Sequence, residues 1–156
     1  MGENYREKAR ALIREQDLCV LATASGNRPH CSLMAYASNA SCTEIYMVTL
    51  KDSRKYQNMR ENPAVSLLVD TRQDTSTSGY TETVALTLTG RFQPIIEDTE
   101  RERVREELSR RHPGLKDLFE DPGGIPVKIV IESVLFLEGA TKAYYGAISK
   151  SKGIQG

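Results

Sequence analysis

Three short apolar runs crowd the first third of the chain: LCVLATA (18–24), PHCSLMAYA (29–37) and EIYMVTL (44–50). Ser25-Gly26-Asn27 separates the first two and Asn39-Ala40-Ser41 the second pair, residue types that form tight turns. Runs this brief read as strands and not as buried helices. A parallel crossover needs about a dozen residues or more, and neither link has them. The opening third is therefore expected to be an antiparallel meander, and that expectation constrains everything after it.

Three more strands are expected. AVSLLVD (64–70) is one. TVALTLTGRF (83–92) alternates Val84, Leu86 and Leu88 with Ala85, Thr87 and Thr89, the pattern of a half-buried strand. VKIVIESVLFLEG (127–139) is long, apolar and β-branched. Between them lie helix signals. Tyr5, Ala9, Leu12 and Ile13 give a helical stripe over 4–16, with Asn4 and Glu7 as a capping pair. Asp52 or Ser53 can cap a short helix with Tyr56 and Met59 on its apolar face, stopped by Asn62-Pro63. A charged helix is expected over 97–111, with Thr99 and Glu102 as a capping box and His112-Pro113-Gly114 as its end. Its spacings Glu97/Arg101, Glu106/Arg110 and Glu107/Arg111 mark a solvated helix. Residues 72–81 lack apolar periodicity and read as a loop, Asp121-Pro122-Gly123-Gly124 reads as a turn, and 151–156 reads as a disordered tail. Six strands with few covering helices fit a small antiparallel barrel with peripheral helices, which also removes exposed edges.

The 156 residues fit a single domain, 1–156. With 21 Lys and Arg against 21 Asp and Glu, the formal charge is zero, which argues against gripping nucleic acid by bulk attraction. No apolar run approaches the ~18–20 residues of a membrane span. The charged N-terminus lacks the apolar core of a signal peptide, and Arg6 stands where a myristoylation motif wants Ser or Thr. Cys19, Cys31 and Cys42 form no CxxC pair, and His30 and His112 are the two histidines. Neither a disulfide framework nor a metal site is expected, and the chain reads as cytoplasmic.

Chemistry concentrates after the third strand. Lys51, Ser53, Arg54 and Lys55 stand where a helix is expected to begin. A helix start offers unpaired N–H groups and a partial positive charge. A hydroxyl, a guanidinium and an ammonium added there suit a phosphate dianion. The competing reading is a solvated basic turn.

Taken in order, Gly26, Pro29-His30, Tyr46-Met47-Val48-Thr49, Ser53-Arg54-Lys55 and Asn62-Pro63-Ala64-Val65 resemble the pyridoxamine 5′-phosphate oxidase-like, FMN-binding split-barrel family. The resemblance covers about residues 10–92, and the 127–139 run fits the closing strand. It implies a mainly β (α+β) fold: a six-stranded antiparallel Greek-key split β-barrel with peripheral helices. It implies that Ser53, Arg54 and Lys55 hold an FMN phosphate. It places His30, Cys31, Ser32, Leu33 and Met34 along the flavin ring and ribityl chain, chiefly through backbone. Val48 and Thr49 would contact the ring edge and phosphate. It further implies a homodimer with FMN at the subunit interface, and a small-molecule substrate that the motifs do not name. The chain also departs from the oxidases proper. It has no Trp, its C-terminal segment GATKAYYGAISK is not Arg-rich, and a Gln that contacts flavin in those enzymes falls on Ala85. Vitamin B6 oxidation is therefore not expected. The expected function is an FMN-dependent oxidoreductase. The alternative is a non-catalytic haem-, flavin- or deazaflavin-binding module of the same fold.

Individual residues keep two readings. His30 either polarises a flavin carbonyl or is a strand-end histidine. Cys31, opposite His30 in the alternation, reads as a buried structural cysteine. Tyr144 and Tyr145 either flank the flavin or pack at an interface.

Overall fold

Alternation along the first strand sets the barrel's inside and outside. In β1 (Leu18–Ser25) Cys19, Leu21 and Thr23 are buried, while the residues between them face outward. The computed structural model describes residues 3–72 and 83–148. Most of the expected 72–81 loop and the whole of the 151–156 tail lie outside those residues. The other elements are α1 (Glu3–Glu15), β2 (Arg28–Ala35), β3 (Ala37–Ser38), β4 (Glu44–Leu50), α2 (Arg54–Glu61), β5 (Ala64–Asp70) and β6 (Val84–Gln93). Then follow α3 (Asp98–Arg111), a 3-10 turn (Pro113–Leu115), α4 (Lys116–Glu120), β7 (Gly124–Glu138) and β8 (Lys142–Gly146).

Every strand pairing is antiparallel, in the order β2-β1-β5-β6-β7-β4-β3, with β8 added on β7. β2 and β3 stand at opposite ends of that order yet are separated by a single residue, Tyr36. They are two halves of one bent strand, and their continuity closes the sheet into a barrel. Six walls result, as expected, because the 29–37 run supplies both halves. Tyr36 makes the bend. Its ring is fully buried, its hydroxyl donates to the Ile13 carbonyl (2.6 Å), and its N–H donates to Asp17 (3.2 Å). The main chain is thereby turned away from β1 and towards β4. At the other end of β2, Gly26 and Asn27 both take positive φ (55° and 62°), the two-residue hairpin geometry that matches strand twist.

Two apolar cores follow. Leu21, Met34, Met47, Leu67, Leu88, Ile129 and Val134 fill the barrel. A second core lies outside it, where Val104 and Leu108 of α3 cover Ala37, Tyr46 and Val48. Gly90 sits at a register shift in β6, and a Cβ there would come 2.5 Å from the Val130 carbonyl oxygen, so the close approach of β7 requires glycine.

Several expectations are corrected. β8 and the 3-10/α4 segment were not foreseen. Leu115, Leu118 and Phe119 do carry the i, i+3, i+4 signal of a helical turn. The Thr99/Glu102 capping box does not form, because α3 begins two residues earlier than that box requires, with Glu97 at the cap and no side-chain cap bond. Asn4 likewise lies inside α1. The i, i+4 pairs expected on α3 are replaced by i, i+3 pairs, Asp98–Arg101 and Glu107–Arg110, while Arg111 reaches Asp17. No helix among the described residues is long and apolar enough to cross a membrane.

Candidate functional site

The barrel is sealed only part of the way along β4. Ala37 and Ser38 of β3 pair with Tyr46 and Ile45, and among the described residues no strand pairs with that edge beyond Tyr46. Backbone groups alternate sides along a strand. Glu44 bonds Asn39 on the β3 side, whereas Lys51 bonds Gly123 on the β7 side. Val48 and Leu50 therefore turn their backbone groups into the gap between β4 and β2. The Leu50 carbonyl is taken by the Ser53 N–H (3.1 Å).

A cavity of about 300 Å³ lies over this split, lined by residues from five elements. Leu33, Met34 and Ala35 come from β2, and Val48, Thr49 and Leu50 from β4. Ser53 and Lys55 come from the start of α2, and Leu115 and Leu118 from the segment after α3. Ser53 caps α2, accepting from the Tyr56 N–H (3.3 Å), and its Oγ lies 3.1 Å from Thr49 Oγ1. A hydroxyl pair thus stands at a helix start with an ammonium beside it. Among the described residues, neither Arg54 nor Lys55 has a carboxylate within ion-pair distance. The opposite wall is apolar. Gly124 holds it close, since a Cβ there would fall 2.0 Å from the Leu118 carbonyl oxygen.

The structure gathers Leu33, Met34, Val48, Thr49, Ser53 and Lys55 around one cavity. Arg54 is exposed beside it on α2. His30 and Ser32 share the inward face of β2 and contact each other (Nε2 to Oγ, 3.2 Å), away from the cavity lining. Cys31 is exposed on the outer face with Leu33, which corrects the reading of a buried structural cysteine. Tyr144 stacks on Tyr5 of α1 with ring centroids 3.4 Å apart, and Tyr145 is exposed on β8, so neither lines the cavity. Ala35, Leu50, Leu115 and Leu118 are the lining residues that sequence reasoning missed.

The family pattern described as pyridoxamine 5′-phosphate oxidase matches residues 5–136. The chain belongs to that family. No curated protein matches it. Solved structures share the fold of this pyridoxamine 5′-phosphate oxidase family member. A heme binding protein from Mycobacterium smegmatis superposes with a TM-score of 0.82 at 15% identity, over 95% of this chain and 60% of its own. ChuZ of Campylobacter jejuni gives 0.80 at 15%, over 94% and 61%. A FAD-binding protein from Mesorhizobium loti gives 0.68 at 20%, over 82% and 88%. The chain thus spans about three-fifths of the first and second of these.

Proposed function

We propose that the split holds FMN and that the chain is an FMN-dependent oxidoreductase acting on a small substrate as a homodimer. The observation that carries this reading is the unsealed edge of β4 ending at a cation-and-hydroxyl cluster. Thr49, Ser53 and Lys55 suit a phosphate, with Arg54 adjacent. The strip from Leu33 to Ala35 and the Val48 backbone suit a flat ring, and Leu115 and Leu118 exclude water from one side of it. Bound FMN supplies two-electron redox chemistry, and the protein's part is to bind, orient and shield it.

Two further observations support parts of the proposal. A barrel kept only as a scaffold would gain by cancelling Arg54 and Lys55 in ion pairs, and those pairs are absent among the described residues. For the homodimer, Leu33 is 69% exposed and Leu18 38% exposed on the outer face. Val20 stands in register with both Leu33 and Leu68, so one apolar row crosses three strands and runs to the cavity rim. A second copy laid on that row would cover the cavity mouth.

The alternative, a haem-, flavin- or deazaflavin-binding module without turnover, draws in its haem form on the haem-binding neighbour. Haem iron takes an axial His, Cys, Met or Tyr. Among the described residues the cavity lining holds no His, Cys or Tyr, and Met34 is buried in the barrel core. The two readings separate on anaerobic reduction of the FMN-loaded protein by NADH or NADPH, followed by reoxidation with candidate acceptors. Bleaching and recovery of the flavin band support the oxidoreductase. Tight FMN binding with persistent inertness supports the module. Sedimentation should give a dimer mass.

A further inference from the structure

A second cationic cavity, of about 340 Å³, lies on the far side of β3 and β4 from the barrel interior. Arg14 enters it from the last turn of α1, and Arg103 and Arg111 from one face of α3, where residues spaced by four and eight align. Ser38, Asn39 and Ala40 form its rim, and Tyr46 its floor. Arg103 donates to the Tyr46 hydroxyl (3.2 Å), and its guanidinium carbon lies 5.7 Å from that ring's centroid. Arg14 donates to the Ala40 carbonyl (2.8 Å).

Glu44 and Glu100 act on Arg103 through space, but Glu100 is paired with Lys128. Asp17 and the carbonyls of Arg14 and Gln16 occupy Arg111. Glu107 also lines the cavity, but its carboxylate lies 3.4 Å from Arg110. Glu44 accepts from the Tyr46 hydroxyl (3.3 Å). Arg14 and Arg103 have no carboxylate within ion-pair distance among the described residues. A guanidinium carries five donors in a planar fork. Each of these two is shown using one, on a neutral oxygen, so donors remain on both guanidinium groups.

We propose that this cavity is a binding site for a small phosphate monoester, separate from the split and clamped between Arg14 and Arg103. Two guanidinium forks, one from α1 and one from α3, suit a tetrahedral dianion, which can accept bidentate bonds from each. The volume lies at the lower end of small-molecule sites, roughly 300–1,000 Å³. A bound phosphate ties α1 to α3 across β4, so it stabilises the fold by mass action.

The test is titration of the Lys55→Ala chain, in which the α2 cluster is weakened, with inorganic phosphate followed by ³¹P NMR and thermal melting. Saturable binding below about 10 mM phosphate and a rising melting temperature are expected. The double variant Arg14→Gln/Arg103→Gln should bind at least about tenfold more weakly, whereas Glu107→Gln should bind more tightly because an opposing charge is gone. If the double variant fails to fold, Glu107→Gln decides. Absence of saturable binding, equal affinity in the double variant, or no tightening in Glu107→Gln overturns the proposal.

Discussion

β4 behaves as two strands in one. Its first half, Glu44–Tyr46, is sealed by β3 on one edge and β7 on the other, and α3 covers its outer face. Its second half keeps β7 but loses β3, and the place of a strand is taken by a cavity, a helix start and two leucines. The sealed half spends its backbone groups on other backbone. The open half can spend them on a ligand. The difference arises at Tyr36, whose buried ring and bonds to Ile13 and Asp17 bend the strand so that β3 meets only the first half of β4.

The comparison breaks most visibly at the sealed wall. Leu88 of β6 is fully buried in the barrel core, and Leu88→Ala should lower unfolding free energy by about 2–5 kcal/mol in urea melts. A loss below 1 kcal/mol, by the same order-of-magnitude scale, would mean that the wall is not packed as described. At the open half the effect should fall on binding instead. Lys55→Ala should weaken FMN binding by about 1.5–3 kcal/mol, the worth of a charged hydrogen bond, with little change in unfolding. Unchanged FMN affinity would remove Lys55 from the site.

Ser53 belongs to both halves of the argument. It caps α2 and faces the cavity. Ser53→Ala should cost about 0.5–2 kcal/mol of stability through the lost cap, and should also weaken FMN binding. Stability lost with affinity intact would make Ser53 a cap alone. The smallest effect at neutral pH comes from Cys19, whose thiol burial pushes up from 9.0 to about 12. The unfolded chain releases that proton near 9.0, so the folded state binds more protons between the two values. Stability should therefore fall as pH rises from about 9 to about 12 and be level for this group below that range. Cys19→Ala should flatten that part of the alkaline melting curve. An identical curve would place the thiol in contact with water.

The sealed part of the molecule was legible because period-two alternation and turn residues report burial directly. Val84, Leu86 and Leu88 announced β6, and Gly26-Asn27 announced the first hairpin. The helix start with its cations was legible because Ser53 is a good cap and Arg54 and Lys55 follow it at once. What stayed hidden depends on contacts distant in sequence. Nothing local to the 29–37 run says that Tyr36 bends it, since the bend is made by Ile13 and Asp17. Nothing near Leu115 and Leu118 says that they wall a cavity against Val48, because Gly124 sets that approach from the far side. Cys31 was misread because alternation separates the two faces of a strand without saying which one the core takes; burial of Met34 decides it.

The central claim is that the open half of β4 and the start of α2 form an FMN site. It is tested most directly by the absorbance of the purified protein before and after equilibrium titration with FMN. The account predicts a flavin band in the visible, saturating at one FMN per chain, with FMN and not FAD released on denaturation. A colourless protein that takes up no added FMN would contradict it.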